Sequence, residues 1–244
     1  MNKEQFLDAF QTTLATHFTG TQNWWTKSLF HFTDITNAIS ILNHGKIYSR
    51  EKAIATGLMQ NDNANDEVIT LTSNEYKKYA RLYFGPSTPT QKNNEGIKPK
   101  VYDDIQDLNR LNFNLIYHRA WFNPEDRNTI INARHSEVLV KDELLLENNL
   151  RLIAVRSEAE KELLLYRLSD ELKEKYQNKI FVQPQTGIFT NDWIYVESVA
   201  IIEEQLVIKW HLCGNSTKCT NKYKLNIQII LFETNQIKKL EKLS

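Results

Sequence analysis

Three separate segments of the 244-residue chain carry side chains that could act on a sugar and a base. The first is His31-Phe32-Thr33, which comes just before an apolar helix pattern. A histidine can exchange hydrogen bonds with a ribose hydroxyl, and the free N–H groups of a helix start can hold an amide or a phosphate. A structural histidine beside an ordinary helix cap explains the same residues and, taken alone, is the more common case.

The second segment runs from Tyr83 to Gln91 and combines aromatic, proline, threonine and glutamine residues. Aromatic rings offer a stacking surface for a base or a nicotinamide ring, and the polar side chains can form hydrogen bonds. A proline-rich turn after an edge strand is the alternative. The segment lies within a basic stretch, residues 76–100, which could be a basic patch or a solvated loop. The cations of this stretch are Lys77, Lys78, Arg81, Lys92, Lys98 and Lys100.

The third segment, residues 134–140, is predicted to end in an apolar strand. Side chains alternate along a strand, so Glu137 lies on the face opposite to Val138 and Val140. A glutamate at the start of an apolar strand is disfavoured unless it is paired or functional. Beside a bound sugar it could hold a ribose hydroxyl and stabilise an oxocarbenium-like centre. An ion pair with Arg134 or another cation is the alternative.

The flanking patterns predict the elements that position these segments. Apolar residues at helical spacing predict a helix over residues 3–16 and a second helix that starts near Asp34, with Thr33 or Asp34 as its cap. Gly45 follows this second helix, where a left-handed stop is expected. Extended segments are predicted at residues 30–33, 46–48, 80–84 and 136–140.

Two further helix starts and a long loop are predicted in the rest of the chain. Residues 123–126, Asn-Pro-Glu-Asp, predict a helix start, and Ser157 with Glu160 predicts a capping box that opens a leucine-rich helix. Residues 55–67 are polar and predict a loop, which at this length is often a functional lid.

The pattern changes to short strands from Lys179 onward. We therefore expect an enzyme core over residues 1–178 and a β-rich part over residues 179–244, which either completes the main sheet or forms an appendage. The boundary between them is soft. Strands are predicted at residues 181–182, 193–202, 206–212 and 225–232.

Composition argues against several classes of protein. Thirty basic and thirty acidic residues cancel, so net charge does not identify a nucleic-acid binder. The chain lacks a run of about 18 apolar residues, which excludes a membrane span, and residues 1–5 lack the zones of a signal peptide, so a cytoplasmic protein is expected. The spacing of the histidines and of Cys213 and Cys219 does not fit a zinc site, so no metal is expected.

Together and in this order, the three segments resemble the DarT family of nucleic-acid ADP-ribosyltransferase toxins. The resemblance covers roughly residues 28–145. The stretches that carry it are residues 30–34 with Asn37, residues 41–42 with Gly45, residues 83–91 with residues 94–96, and residues 136–140.

The resemblance implies an α+β protein with the ADP-ribosyltransferase fold, in which a split, mainly antiparallel β core with flanking helices holds a cleft for NAD, used as a substrate. It implies that Glu137 is the catalytic glutamate on the nicotinamide-ribose 2′-hydroxyl. An arginine, either Arg50 or Arg81, would assist proton removal from the base. Contacts with NAD are expected from His31, Phe32, Thr33, Asn37, Gly45 and Tyr83.

The implied target is single-stranded DNA modified on thymine or guanine, and the implied partner is a cognate antitoxin within a toxin–antitoxin or phage-defence system. The turn at residues 84–87 contains small residues where relatives carry basic ones, which keeps RNA open as the target. The sequence is also compatible with a protein-modifying transferase, with a non-catalytic nucleic-acid-binding protein that has a decayed NAD site, and with an interaction protein. Nucleic-acid contacts are expected from Lys77, Lys78, Thr88, Thr90, Gln91, Lys92, Arg134 and His135.

Overall fold

The structure is a computed structural model. It describes residues 2–18, 20–59, 75–86, 100–184, 188–189, 194–203, 205–211, 228–231 and 236–239. Several predictions concern positions outside the described residues. These are the part of the predicted loop over residues 60–67, the two cysteines Cys213 and Cys219, and four of the expected nucleic-acid contacts, Thr88, Thr90, Gln91 and Lys92.

The described part of the chain combines short helices, which predominate in its first half, with short strands, which predominate towards its end. The α-helices are α1 (Lys3–His17), α2 (Thr21–Trp25), α3 (Ile35–His44), α4 (Arg50–Ala55), α5 (Phe113–Ile116), α6 (Arg127–Arg134), α7 (Glu158–Tyr166) and α8 (Asp170–Tyr176). Short 3-10 helices occupy Tyr76–Lys78, Ile105–Arg110 and Gln177–Lys179. The strands are β1 (Lys46–Tyr48), β2 (Tyr79–Tyr83), β3 (Glu137–Lys141), β4 (Glu143–Leu145), β5 (Ile153–Val155), β6 (Ile180–Val182), β7 (Tyr195–Ile202), β8 (Gln205–His211), β9 (Gln228–Leu231) and β10 (Gln236–Lys239).

The helix that follows the His31 segment begins and ends as its sequence predicts. Asp34 is the N-cap of α3, and its side chain accepts a hydrogen bond of 2.9 Å from the backbone N–H of Asn37. Gly45 ends the helix in the left-handed conformation at φ 63°. There its N–H donates to the carbonyls of Ile41 and Leu42, which the helix itself leaves without partners.

Two local predictions are wrong. Residues 30–33 do not form a strand, because only Phe30 pairs with another strand, through two backbone hydrogen bonds to Tyr83 of 2.8 and 2.7 Å. Residues 123–126 form a turn, in which the N–H of Asp126 bonds to the carbonyl of Asn123. Helix α6 therefore begins only at Arg127.

The strands form five two-stranded sheets within the described residues. Pairs β1–β4, β2–β3, β7–β8 and β9–β10 are antiparallel, and β5–β6 is parallel. This mixture of helices and small, mainly antiparallel sheets confirms the α+β class, while the division into a split core stays a prediction. Strand β6 follows the expected boundary near residue 178 and yet pairs with β5, so it is joined to the core by backbone hydrogen bonds.

Two clusters of buried side chains hold the helices against the strands. The first is aliphatic and surrounds Leu164, with Leu42, Ala80, Leu82 and Ile180 among its members. The second is mainly aromatic and consists of Leu14, Phe18, Trp25, Phe84, Phe113, Ile116 and Tyr117. Val138 of β3 packs against both clusters, so this strand connects the two halves of the core.

Gly45→Ala should lower the free energy of unfolding by about 1–2 kcal/mol, because a Cβ atom is disfavoured in the left-handed conformation. No heavy atom lies within 4 Å of the site of that Cβ, so the expected loss is backbone strain alone. Urea unfolding measures it. Gly45→Asn is the matched control and should lose less, because asparagine tolerates this conformation. Equal stability of the parent and the alanine variant would contradict the assigned role.

Candidate active site

The register of β2 against β3 brings three functional side chains to one face of the strand pair. Tyr83 lies opposite Glu137, and Arg81 lies opposite Leu139. Because side chains alternate along a strand, Ala80 and Leu82 point to the other face, into the core. Arg81, Tyr83 and Glu137 therefore share the face that is turned away from the aliphatic core.

The carboxylate of Glu137 has both a cationic and a neutral partner on this face. Arg81 Nη1 lies 3.6 Å from Glu137 Oε1, and the hydroxyl of Tyr83 is hydrogen-bonded to the same carboxylate. The exposed fraction of the Glu137 side chain is 20%. The cation that the structure places beside Glu137 is thus Arg81, on the neighbouring strand, which the sequence suggested only as a possible catalytic arginine.

Burial sets the ionisation of this group. Loss of water raises the pKa of Glu137, and the nearby Arg81 charge, the Tyr83 hydrogen bond and His135 partly oppose that rise. Burial, followed by the charge of Glu137, raises the pKa of Tyr83 to about 12. Tyr83 therefore stays protonated at neutral pH and can donate its hydrogen bond.

His31 is anchored to the same strand. Its Nδ1 lies 3.1 Å from the carbonyl oxygen of Arg81. A carbonyl only accepts hydrogen bonds, so Nδ1 carries the proton of the neutral ring and Nε2 is left as an acceptor. The side chain is open to a cavity, but the protein atoms packed around it disfavour its charged form and lower its pKa. His31 is therefore suited to accept a hydrogen bond from a sugar hydroxyl.

A cavity of about 2780 Å³ reaches these residues and extends past both faces of the β2–β3 pair, because Leu82 and Leu164 of the core also line it. His31, Phe32, Thr33, Arg81 and Glu137 contribute to its wall. Typical small-molecule pockets enclose roughly 300–1,000 Å³, so this cavity has room for more than one small ligand. The ring of Phe32 packs at 5.6 Å from the ring of Tyr83 and is 38% exposed, which leaves part of an aromatic surface uncovered.

His135 also lines this cavity, and its Nδ1 lies 2.7 Å from the carbonyl oxygen of Ile131 at the end of α6. Other predicted residues take positions that support the fold. Gly45 ends α3 as described above, and Arg50 is the first residue of α4, whose cap is Ser49. Tyr83 lies on β2 directly opposite Glu137 of β3. The predicted site residues that are absent from the described wall of the cavity are Asn37, Gly45, Arg50, Lys77, Lys78, Tyr83 and Arg134.

Arg156 and Phe189 are among the cavity residues that sequence reasoning missed. The only local signal for Arg156 is its place between a short apolar strand and the capping residue Ser157. The segment around Phe189 carries no motif. Ser157 Oγ accepts from the N–H of Glu160 as predicted, but the carboxylate of Glu160 accepts from the N–H of Arg156 at 2.7 Å.

The described residues contain no group of three or more histidine, cysteine, aspartate or glutamate side chains arranged to hold a metal ion. In the same part of the chain, no helix has the length and apolar character needed to cross a membrane.

Glu137→Gln should raise the free energy of unfolding at pH 7. An acid whose pKa rises on folding binds its proton more tightly in the folded state, so its ionisation destabilises the fold above the unfolded pKa of about 4.3. The gain should shrink as the pH falls towards that value, as urea unfolding at several pH values can measure. Glu143→Gln is the matched control with the opposite sign, because Lys46 and Lys52 lower the pKa of Glu143. A Glu137→Gln variant less stable than the parent at pH 7 would contradict this electrostatic account.

Comparison with known proteins identifies the family. The model of the DarT family, described as ssDNA thymidine ADP-ribosyltransferase, matches residues 30–102 and 97–195. No curated protein sequence matches the chain. Among solved structures, Thermus sp. 2.9 DarT in complex with ADP-ribosylated ssDNA is similar at 14% identity and a TM-score of 0.48, covering 64% of this chain and 93% of that one. The same protein in complex with NAD+ is similar at 15% identity and a TM-score of 0.45, covering 64% and 94%.

The family match spans more than half of the chain and contains the strand pair that carries Arg81, Tyr83 and Glu137, as well as His31. The chain therefore belongs to the DarT family of ssDNA thymidine ADP-ribosyltransferases.

Proposed function

We propose that this protein transfers ADP-ribose from NAD to a thymine base of single-stranded DNA, with Glu137 as the catalytic carboxylate. The observation that carries the proposal is the placement of Glu137 beside Arg81 and Tyr83 at the wall of a large cavity that His31 also lines. The family to which the chain belongs supplies the reaction class and the base.

In this reaction the bond between the ribose C1′ of NAD and nicotinamide breaks, and nicotinamide leaves with the electron pair. The ribose becomes positively charged, and a base nitrogen that loses its proton forms the new bond to C1′. A fixed carboxylate that accepts a hydrogen bond from the ribose 2′-hydroxyl stabilises the developing positive charge. Glu137 is suited to this role because Arg81 and Tyr83 both favour its ionised form.

The His31 segment is suited to hold the nicotinamide end of NAD. The Nδ1 proton of the neutral His31 ring is directed at the Arg81 carbonyl. Its Nε2 can therefore accept a hydrogen bond from a ribose hydroxyl. Phe32 offers a partly uncovered ring face for the nicotinamide, and Thr33 offers a hydroxyl in the same wall. Asn37 and Gly45 then act through the helix that follows this segment.

Two arginines are candidates for assisting proton removal from the base. Arg81 contacts Glu137 directly and lines the cavity, which supports Arg81 over Arg50. An arginine in this position keeps its charge and both orients the carboxylate and lowers the cost of its burial.

We also propose which residues hold the DNA strand and what role the protein has in the cell. Lys77, Lys78, Arg134 and His135, together with the basic residues after Ser87, would hold the backbone of single-stranded DNA, and the residues up to 178 would form the enzyme core. The protein would act as the toxin of a toxin–antitoxin or phage-defence system, neutralised by a cognate antitoxin, because unregulated modification of DNA bases harms the host. RNA remains the alternative target.

The purified protein, NAD and matched oligonucleotides of single-stranded DNA and RNA test the function. Intact masses should show one added ADP-ribosyl group on thymine-containing DNA and none on DNA without thymine. The Glu137→Gln variant should lose activity about 100-fold or more while still binding NAD, since removal of one transition-state contact has effects of this size. Modification of RNA alone would change the target, and full activity of Glu137→Gln would overturn the catalytic assignment.

Arg81→Lys and Arg50→Lys separate the two candidate arginines. Lysine keeps the positive charge but not the planar arrangement of donors, so the variant at the true position should lower kcat by about tenfold or more with little change in the NAD affinity. We expect that loss for Arg81→Lys and near-parental turnover for Arg50→Lys. The reverse ranking would transfer the role to Arg50.

A further inference from the structure

A second group of planar side chains lies at the wall of the same cavity, apart from the Glu137 face. We call it the Arg156 cluster, and it consists of Arg156, Glu160, Phe189 and Tyr195. Arg156 directly follows β5, Glu160 lies in the first turn of α7, and Tyr195 begins β7. Arg156, Glu160 and Phe189 line the cavity that also contains Glu137.

Arg156 lies over two aromatic rings of the cluster. The guanidinium carbon of Arg156 lies 5.3 Å from the centroid of the Phe189 ring and 5.1 Å from that of the Tyr195 ring. The Tyr195 ring stacks on the His211 ring, with 4.6 Å between the ring centroids and an angle of 14° between the ring planes. Three aromatic rings and one guanidinium plane are thus collected at one place.

The charge of Arg156 is already offset within the cluster. Glu160 Oε1 lies 3.6 Å from Arg156 Nε, and none of the described residues accepts a hydrogen bond from that buried Nε. A cation beside a carboxylate is a weak anchor for phosphate, because the two charges largely cancel at a distance. The ring of Phe189, which is partly exposed and lines the cavity, is the flat surface of the cluster that a base can reach.

Proteins hold the bases of single-stranded nucleic acid by stacking them on aromatic rings and guanidinium groups. Such a contact accepts any of the bases, because every base has a flat face. The cavity is also larger than a single small ligand needs. We propose that the Arg156 cluster is a stacking subsite for a nucleobase that flanks the modified thymine. This inference rests on the proposed function, because it requires the DNA strand to enter the cavity in front of Glu137.

The competing explanation is that the cluster only ties α7 to β7. A structural tie would alter stability and would weaken the binding of every oligonucleotide alike. A base subsite has a distinct consequence, because its contribution depends on a base being present at one position of the DNA.

The test combines Phe189→Leu with abasic DNA. The affinity is measured for an oligonucleotide with one thymine and for a series in which one flanking nucleotide at a time is abasic. For the parent protein, one abasic position should weaken binding about tenfold, the usual size of a lost stacking contact. Phe189→Leu should weaken binding of the intact strand by a similar factor, and the abasic site at that position should cause little further loss. Arg156→Lys should give the same pattern, since it keeps the charge and removes the plane.

Phe181→Leu is the matched control, because Phe181 is an exposed ring on β6 outside the described wall of the cavity. It should bind all strands like the parent, and NAD affinity should be unchanged in every variant. The subsite is overturned if the losses from Phe189→Leu and from each abasic position multiply, or if Phe189→Leu binds like the parent. If the parent binds NAD but neither binds nor modifies DNA, the proposed function itself fails.

Discussion

The antiparallel pairing of β2 with β3 is the constraint on which the rest of this protein depends. Its register places Ala80 and Leu82 in the aliphatic core and turns Arg81, Tyr83 and Glu137 to the opposite face, where Arg81 and Glu137 line the cavity. Side chains alternate with a period of two, so a slip by one residue would bury the charged set and expose the apolar one. The same backbone hydrogen bonds therefore specify both the core and the candidate active site, and the burial of one face secures the geometry of the other.

The burial of Glu137 lowers the stability of the fold and strengthens the electrostatic interactions of its carboxylate. Burial raises the pKa of Glu137, which means that ionisation of the carboxylate opposes folding, and Arg81 and Tyr83 offset only part of that opposition. The low dielectric that makes the charge costly also strengthens its attraction for a positive centre at short range. On the proposed function, a carboxylate whose ionisation opposes folding would stabilise a developing oxocarbenium ion more strongly, a common relation between stability and activity.

On the proposed function, the cavity divides recognition between two kinds of contact. The face that contains Glu137 acts through charge and directed hydrogen bonds, and the Arg156 cluster acts through flat surfaces. A chain with zero formal net charge gains little from long-range attraction to DNA. Stacking does not need a net charge, so planar groups in a deep cavity are a reasonable way for such a protein to hold a single strand.

Local signals in the sequence determined the elements whose ends depend on neighbouring residues. Asp34 and Gly45 bound α3 as predicted, and the alternation around Glu137 correctly placed it on an apolar strand. The ordered set of three segments also identified the family. Only the tertiary structure decided which cation faces Glu137, why residues 30–33 form a single bridge, and that Arg156 meets Phe189 and Tyr195. Caps and alternation are encoded within a few residues, whereas register and side-chain clusters depend on how segments distant in sequence pack around a shared core.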